Sequence, residues 1–133
     1  MPTKIKAIDN RTPYILFFRN TEHPEDSRVI FPHSVGKTGG KDNDFCYIPN
    51  IQDRNPKEVF LAHHMRITDI SGENHINFAF WKNDDQDNQL FYCENDEYAS
   101  TRVPANKKIN KSTKDYETGE VLRIDGKEKY SIY

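Results

Sequence analysis

The residue with most scope for chemistry in this sequence is its single tryptophan, Trp81. It lies in the run His75 to Lys82, the cleanest alternation in the chain. Ile76, Phe78 and Phe80 fall on one face of an extended strand, and His75, Asn77, Ala79 and Trp81 on the other. Three large apolar residues already supply a core face, so Trp81 shares its own face with polar and small neighbours. An indole stacks on the apolar face of a sugar ring, while imidazole, amide and carboxylate groups bind its hydroxyls, which is how most polar-ligand sites are built. The next run, Gln89 to Glu94, adds Phe91 or Tyr92 depending on register. The candidate ligand site is therefore His75, Asn77, Trp81 and Tyr92, with Asp84, Asp85 and Asp87 contributed by the intervening tip. The alternative is that both faces of this strand are covered and Trp81 belongs to the core.

The tip itself suggests a second chemistry. Asn83, Asp85 and Asp87 are spaced at i, i+2 and i+4, and Glu94 closes a stretch of twelve residues. This echoes a calcium loop, in which alternating oxygens wrap a hard cation and a terminal Glu binds through both oxygens. The first ligand is Asn, the glycine of the sharp turn is replaced by Asn88, and both flanks alternate like strands rather than helices. A Ca²⁺ site at Asn83, Asp85, Asp87 and Glu94 stands against a plain reading, an acidic hairpin tip that keeps a sheet edge from pairing with other chains.

Other clusters are less specific. Residues 83–97 hold six acids and no base, and residues 102–114 hold five bases and no acid. Lys107, Lys108, Lys111 and Lys114 could contact phosphate or anionic lipid, but no aromatic residue is interleaved as single-stranded nucleic acid requires. With a net charge of −2 the chain carries no global field that draws it to nucleic acid or to anionic lipid. The five histidines include no H-E-x-x-H and no same-face triplet. Cys46 and Cys93 fit no metal spacing and are expected as free, buried thiols. There is no G-x-S-x-G elbow, P-loop or G-x-G-x-x-G, so an enzyme is disfavoured.

These residues need a scaffold, and composition names its class. Ile, Val, Leu and Phe number 12, 5, 4 and 8 in 133 residues. Leu is scarce while β-branched and aromatic residues dominate, which suits pleated, half-buried surfaces and not a helical bundle. The apolar residues fall in short runs: 4–9, 14–19, 27–31, 45–51, 59–70, 75–82, 89–94, 101–104, 107–110, 120–124 and 128–133. Clusters of Asn, Asp, Gly and Pro separate them. Residues 36–44 read as a loop, Asp125-Gly126 as a hairpin turn, and Pro56 limits any helix at 53–59 to one turn. The expectation is a single all-β domain over 1–133, an antiparallel β-sandwich or closed barrel of about nine to eleven short strands. Met1 to Ala7 holds two lysines and no apolar run, as in a chain made in the cytoplasm without a signal peptide. The function expected is non-enzymatic ligand recognition, with lectin-like carbohydrate binding as the specific form and no cofactor beyond the Ca²⁺ considered above. The alternatives are a membrane-acting, toxin-like β protein that assembles on lipid, with Lys107 to Lys114 and exposed Tyr14, Phe17 or Tyr116 as its features, and a structural protein that forms homo-oligomers.

Overall fold

The computed structural model describes residues 4–20, 24–39, 46–48, 65–73, 75–83, 89–94, 108–111 and 121–132. These are mostly strand. In chain order they are β1 (Lys4–Ile5), β2 (Ala7–Asn10), β3 (Leu16–Asn20), β4 (Arg28–Ile30), β5 (Ser34–Lys37), β6 (Cys46–Tyr47), β7 (Met65–Asp69), β8 (Asn77–Asn83), β9 (Gln89–Glu94), β10 (Lys108–Lys111), β11 (Val121–Gly126) and β12 (Lys129–Ile132). The only helical feature among the described residues is a single 3-10 turn, Pro24–Asp26. None of their helices is long and apolar enough to cross a membrane. The one-turn helix considered at 53–59 lies outside the described residues, as do the strand expected at 101–104 and the basic residues Lys107 and Lys114.

The all-β expectation holds, and two details of it are corrected. β1 and β6 form a two-stranded ladder, and the other ten strands join in one sheet, ordered β4-β3-β7-β8-β9-β10-β12-β11-β2-β5. β10 pairs through Lys108 and Ile109 with β9, and through Asn110 and Lys111 with β12, so one short strand links the two halves. The barrel does not close, because the end strands β4 and β5 are not hydrogen-bonded to each other. Nor is the sheet wholly antiparallel, since β2 runs parallel to β11 and β10 parallel to β12. Hairpins force antiparallel pairing only on neighbours in sequence. The chain that separates β2 from β11 is long enough to bring them side by side in either sense.

Period-two patterning explains the core. On β3, Leu16 and Phe18 point in and Phe17 and Arg19 point out. On β7, Met65 and Ile67 are buried. Ile76, Phe78 and Phe80 enter the same core as Ile8, Leu122, Ile124, Tyr130 and Ile132 from the other half of the sheet. At its centre Tyr130 stacks on Phe78 with centroids 3.8 Å apart and meets Tyr92 edge-on at 4.9 Å. Ala79, Trp81, Phe91 and Cys93 form a second apolar cluster on the opposite face of β8 and β9. Cys46 and Cys93 are free and buried, as expected. Cys46 donates to the Thr38 carbonyl at 2.7 Å, and burial, with Asp26 nearby, pushes its thiol up to about 11.

Two turns differ from expectation. Ser34–Lys37 is a strand where a loop was expected from Gly36. Gly36 is required there because a side chain would meet Ile30 Cγ1 at 2.8 Å. The last hairpin turns at Lys127 and Glu128 rather than at Asp125-Gly126. Gly126 pairs with Lys129 beyond a bulge, and Glu128 takes the left-handed conformation with φ of 63°.

Candidate functional site

The residues nominated around Trp81 are not brought together. Trp81 is 0% exposed, so it offers no open face to a ligand. Its ring lies against Phe91, 6.3 Å between centroids, because the register pairs Trp81 with Phe91. That register sends Tyr92 to the other side of the sheet, into the core beside Phe78 and Tyr130. Asn77 is buried, and its Oδ1 accepts from Nε and Nη2 of Arg66 at 3.1 and 2.9 Å. His75 stands before β8, in the turn that precedes it.

Of the twelve residues in the calcium-loop pattern, 84–88 lie outside the described residues, and the two ends are held in strands. Residues 89–94 are strand, with Asn83 opposite Gln89 and Glu94 opposite Phe78. Five residues of extended chain separate Phe78 from Asn83, roughly 16 Å at 3.3 Å per residue, so Asn83 and Glu94 cannot close on one ion. Glu94 turns inward instead and accepts from the Tyr130 hydroxyl at 3.2 Å. Asp84, Asp85 and Asp87 lie outside the described residues, and no group of three or more metal-binding side chains occurs among those described.

A cleft does form where His75 sits. It encloses about 370 Å³ and is lined by Thr12, Pro13, Tyr14, His75, Asp125, Gly126 and Lys127. Strand direction explains how residues so far apart in sequence meet. Because β2 and β11 run parallel, with Asn10 beside Ile124, the chain leaves both strands at the same end of the sheet. Arg11 N–H bonds the Ile124 carbonyl at 2.9 Å and ties the two exits together. The turn from β7 to β8 arrives at that end too, since Asp69 pairs with Leu16 at the start of β3.

Each wall has its own support. Tyr14 packs against the core, and its ring lies flat on His75, with centroids 4.4 Å apart and planes 8° from parallel. His75 Nε2 is 2.8 Å from Glu73 Oε2, and the imidazole stays partly exposed. Asp125 is half-exposed and holds Arg123 Nε through both oxygens, at 3.1 and 3.0 Å. Lys127 is exposed at the tip of the last hairpin. The cleft thus offers a stacked aromatic pair, a carboxylate, an ammonium group and main-chain polar atoms. Sequence reasoning identified His75 but missed the rest of this wall. The signal was present in two turn clusters, Asp9 to Pro13 and Asp125-Gly126, read only as turns.

Asp69 holds the turn that carries His75. Its Oδ1 accepts from the Ser71 hydroxyl at 2.6 Å and its Oδ2 from Ile76 N–H at 3.1 Å, while its own N–H bonds the Ile76 carbonyl at 2.8 Å. Burial pushes this carboxyl up, but the Ser71 hydroxyl, the N–H groups of Ile76 and His75, and the His75 ring outweigh it and hold it below the ordinary value. A lowered carboxyl contributes stability that is full above the unfolded-state value of about 4 and is lost as pH falls through the folded one. Asp69→Asn is therefore expected to be less stable than the parent at pH 7, with the gap narrowing as pH drops below about 4. Urea midpoints at the two pH values measure it, and a gap independent of pH would show that the carboxylate charge contributes nothing.

Searches against family models, curated protein sequences and solved structures return no match for this chain.

Proposed function

We propose that this protein is a non-enzymatic recognition module that binds carbohydrate in the cleft between Tyr14, His75 and residues 125–127. The observation that carries this reading is the His75 ring lying flat on Tyr14 at 4.4 Å, within an open cleft that also presents Asp125 and Lys127. A flat, partly exposed ring with charged hydrogen-bonding groups beside it matches the two aspects of a pyranose, an apolar face and a rim of hydroxyls. Of the residues nominated from sequence, His75 stays in the proposed site. Trp81, Asn77 and Tyr92 take structural roles. We also read the two halves of the bent sheet as the layers of a β-sandwich, supported by the single core that residues of both halves line.

A glycan array tests the function, with the parent protein beside His75→Ala and Asp125→Asn. Both side chains are partly exposed, so the variants are expected to fold. Loss of the stacking ring is expected to weaken binding about tenfold, the size of an aromatic stacking contact. A parent that binds no glycan, or variants that bind as well as the parent, would overturn the reading.

A further inference from the structure

The two walls of the cleft offer different chemistry. On one, Thr12 N–H bonds Asn10 Oδ1 at 3.0 Å and Tyr14 N–H bonds the Thr12 hydroxyl at 3.2 Å. Pro13 between them has no N–H, and His75 N–H is taken by Asp69. The main-chain donors of this wall are therefore spent, and it presents the rings of Pro13, Tyr14 and His75. Permanent charge comes from the other wall, where Asp125 and Lys127 flank Gly126.

These two charges are not in the same state. Both oxygens of Asp125 accept from Arg123 Nε, so the carboxylate is compensated, and each oxygen keeps a second lone pair for a hydroxyl donor. Lys127 is exposed at the hairpin tip and has no ion pair among the described residues. Glu73 is bonded to His75, and neither Glu73 nor Glu128 lines the cleft. The charged wall thus suits an anion at Lys127 and, beside it, a hydroxyl that donates to Asp125.

We infer that, given carbohydrate binding in this cleft as proposed above, the sugar is a terminal hexuronate. Its apolar ring face lies on Tyr14 and His75. Its carboxylate meets Lys127, and its free O4 hydroxyl, on the adjacent ring carbon, donates to Asp125. The pair Asp125 and Lys127, two residues apart on one wall, thereby reads an anion and a hydroxyl that stand side by side on one edge of the ring. A neutral hexose satisfies Asp125 and leaves Lys127 to water.

Matched glycans test it, identical but for a terminal glucuronate or glucose, and a terminal galacturonate or galactose, with galactose 6-sulfate as a third ending. The parent is expected to bind one of the uronates about fivefold more tightly than its neutral match, the upper end for an exposed ion pair. Added salt is expected to shrink that preference. Lys127→Gln is expected to abolish it, so that the uronate binds no better than its match. Lys127 is exposed, so circular dichroism of the variant should match the parent. Equal binding of uronate and neutral glycans would overturn this inference and leave carbohydrate recognition standing, whereas a parent that binds none of them overturns both. A preference that survives Lys127→Gln, or a sulfate bound in place of the uronates, would also overturn the assignment.

Discussion

Trp81→Ala is expected to cost about 3–5 kcal/mol of stability, the range for removing a fully buried large aromatic side chain. In a domain of this size that lowers the thermal midpoint by on the order of 10–20 °C. The ring is 0% exposed and packs with Phe91, Ala79 and Cys93, so its deletion leaves a void in the second apolar cluster. The indole N–H of Trp81 is buried without a hydrogen-bond partner. A buried donor left unpaired costs about 1–3 kcal/mol, so the native state already carries part of that penalty. Trp81→Phe removes the orphan donor and keeps most of the ring, and is expected to cost far less than Trp81→Ala, within about 1–2 kcal/mol of the parent. Chemical denaturation of the three proteins measures both differences. An alanine variant as stable as the parent would show that Trp81 lies outside the packed structure, as a ligand platform does.

The role of Trp81 also shows where reading the sequence stops. Alternation from Ile76 to Lys82 assigns Trp81 to the face opposite Phe78, and the structure agrees. Alternation is local, so a strand's two faces are legible from its own residues. What covers each face is not local. Neither is the register that pairs Trp81 with Phe91 rather than Tyr92, because it depends on how the hairpin tip is spent. The cleft is further from reach, as it needs the parallel pairing of β2 with β11, strands more than a hundred residues apart. His75 was legible as an outward polar residue. Its partner Tyr14 read as one end of an apolar strand, and only the turn built by Asp69 lays one ring on the other.

Asn10 is where that non-local assembly depends on one side chain, and its replacement is the second large effect expected. It is fully buried at the end of β2. Its Oδ1 accepts from the N–H and hydroxyl of Thr12 at 3.0 and 2.6 Å, which folds the chain into the turn toward Tyr14. Its amide nitrogen donates to the carbonyls of Tyr14 at 2.8 Å, Phe31 at 3.1 Å and Ile30 at 3.3 Å. One amide therefore joins β2, the cleft wall and the corner between β4 and β5, across the seam that no strand pairing closes. Asn10→Ala strips partners from several groups at once. At about 1–3 kcal/mol for each buried group that water cannot reach, a loss of about 3 kcal/mol is expected. Asn10→Asp keeps the shape and the bonds from Thr12, but turns a carboxylate toward three carbonyl oxygens. Burial and those dipoles raise its folded-state pKa, so the variant is closest to the parent below about pH 4 and loses stability as pH rises toward 7. Urea denaturation at pH 4 and pH 7 checks both substitutions. An alanine variant that loses less than about 1 kcal/mol would mean that the seam is held by apolar packing, chiefly Ile30 against Gly36, rather than by this amide.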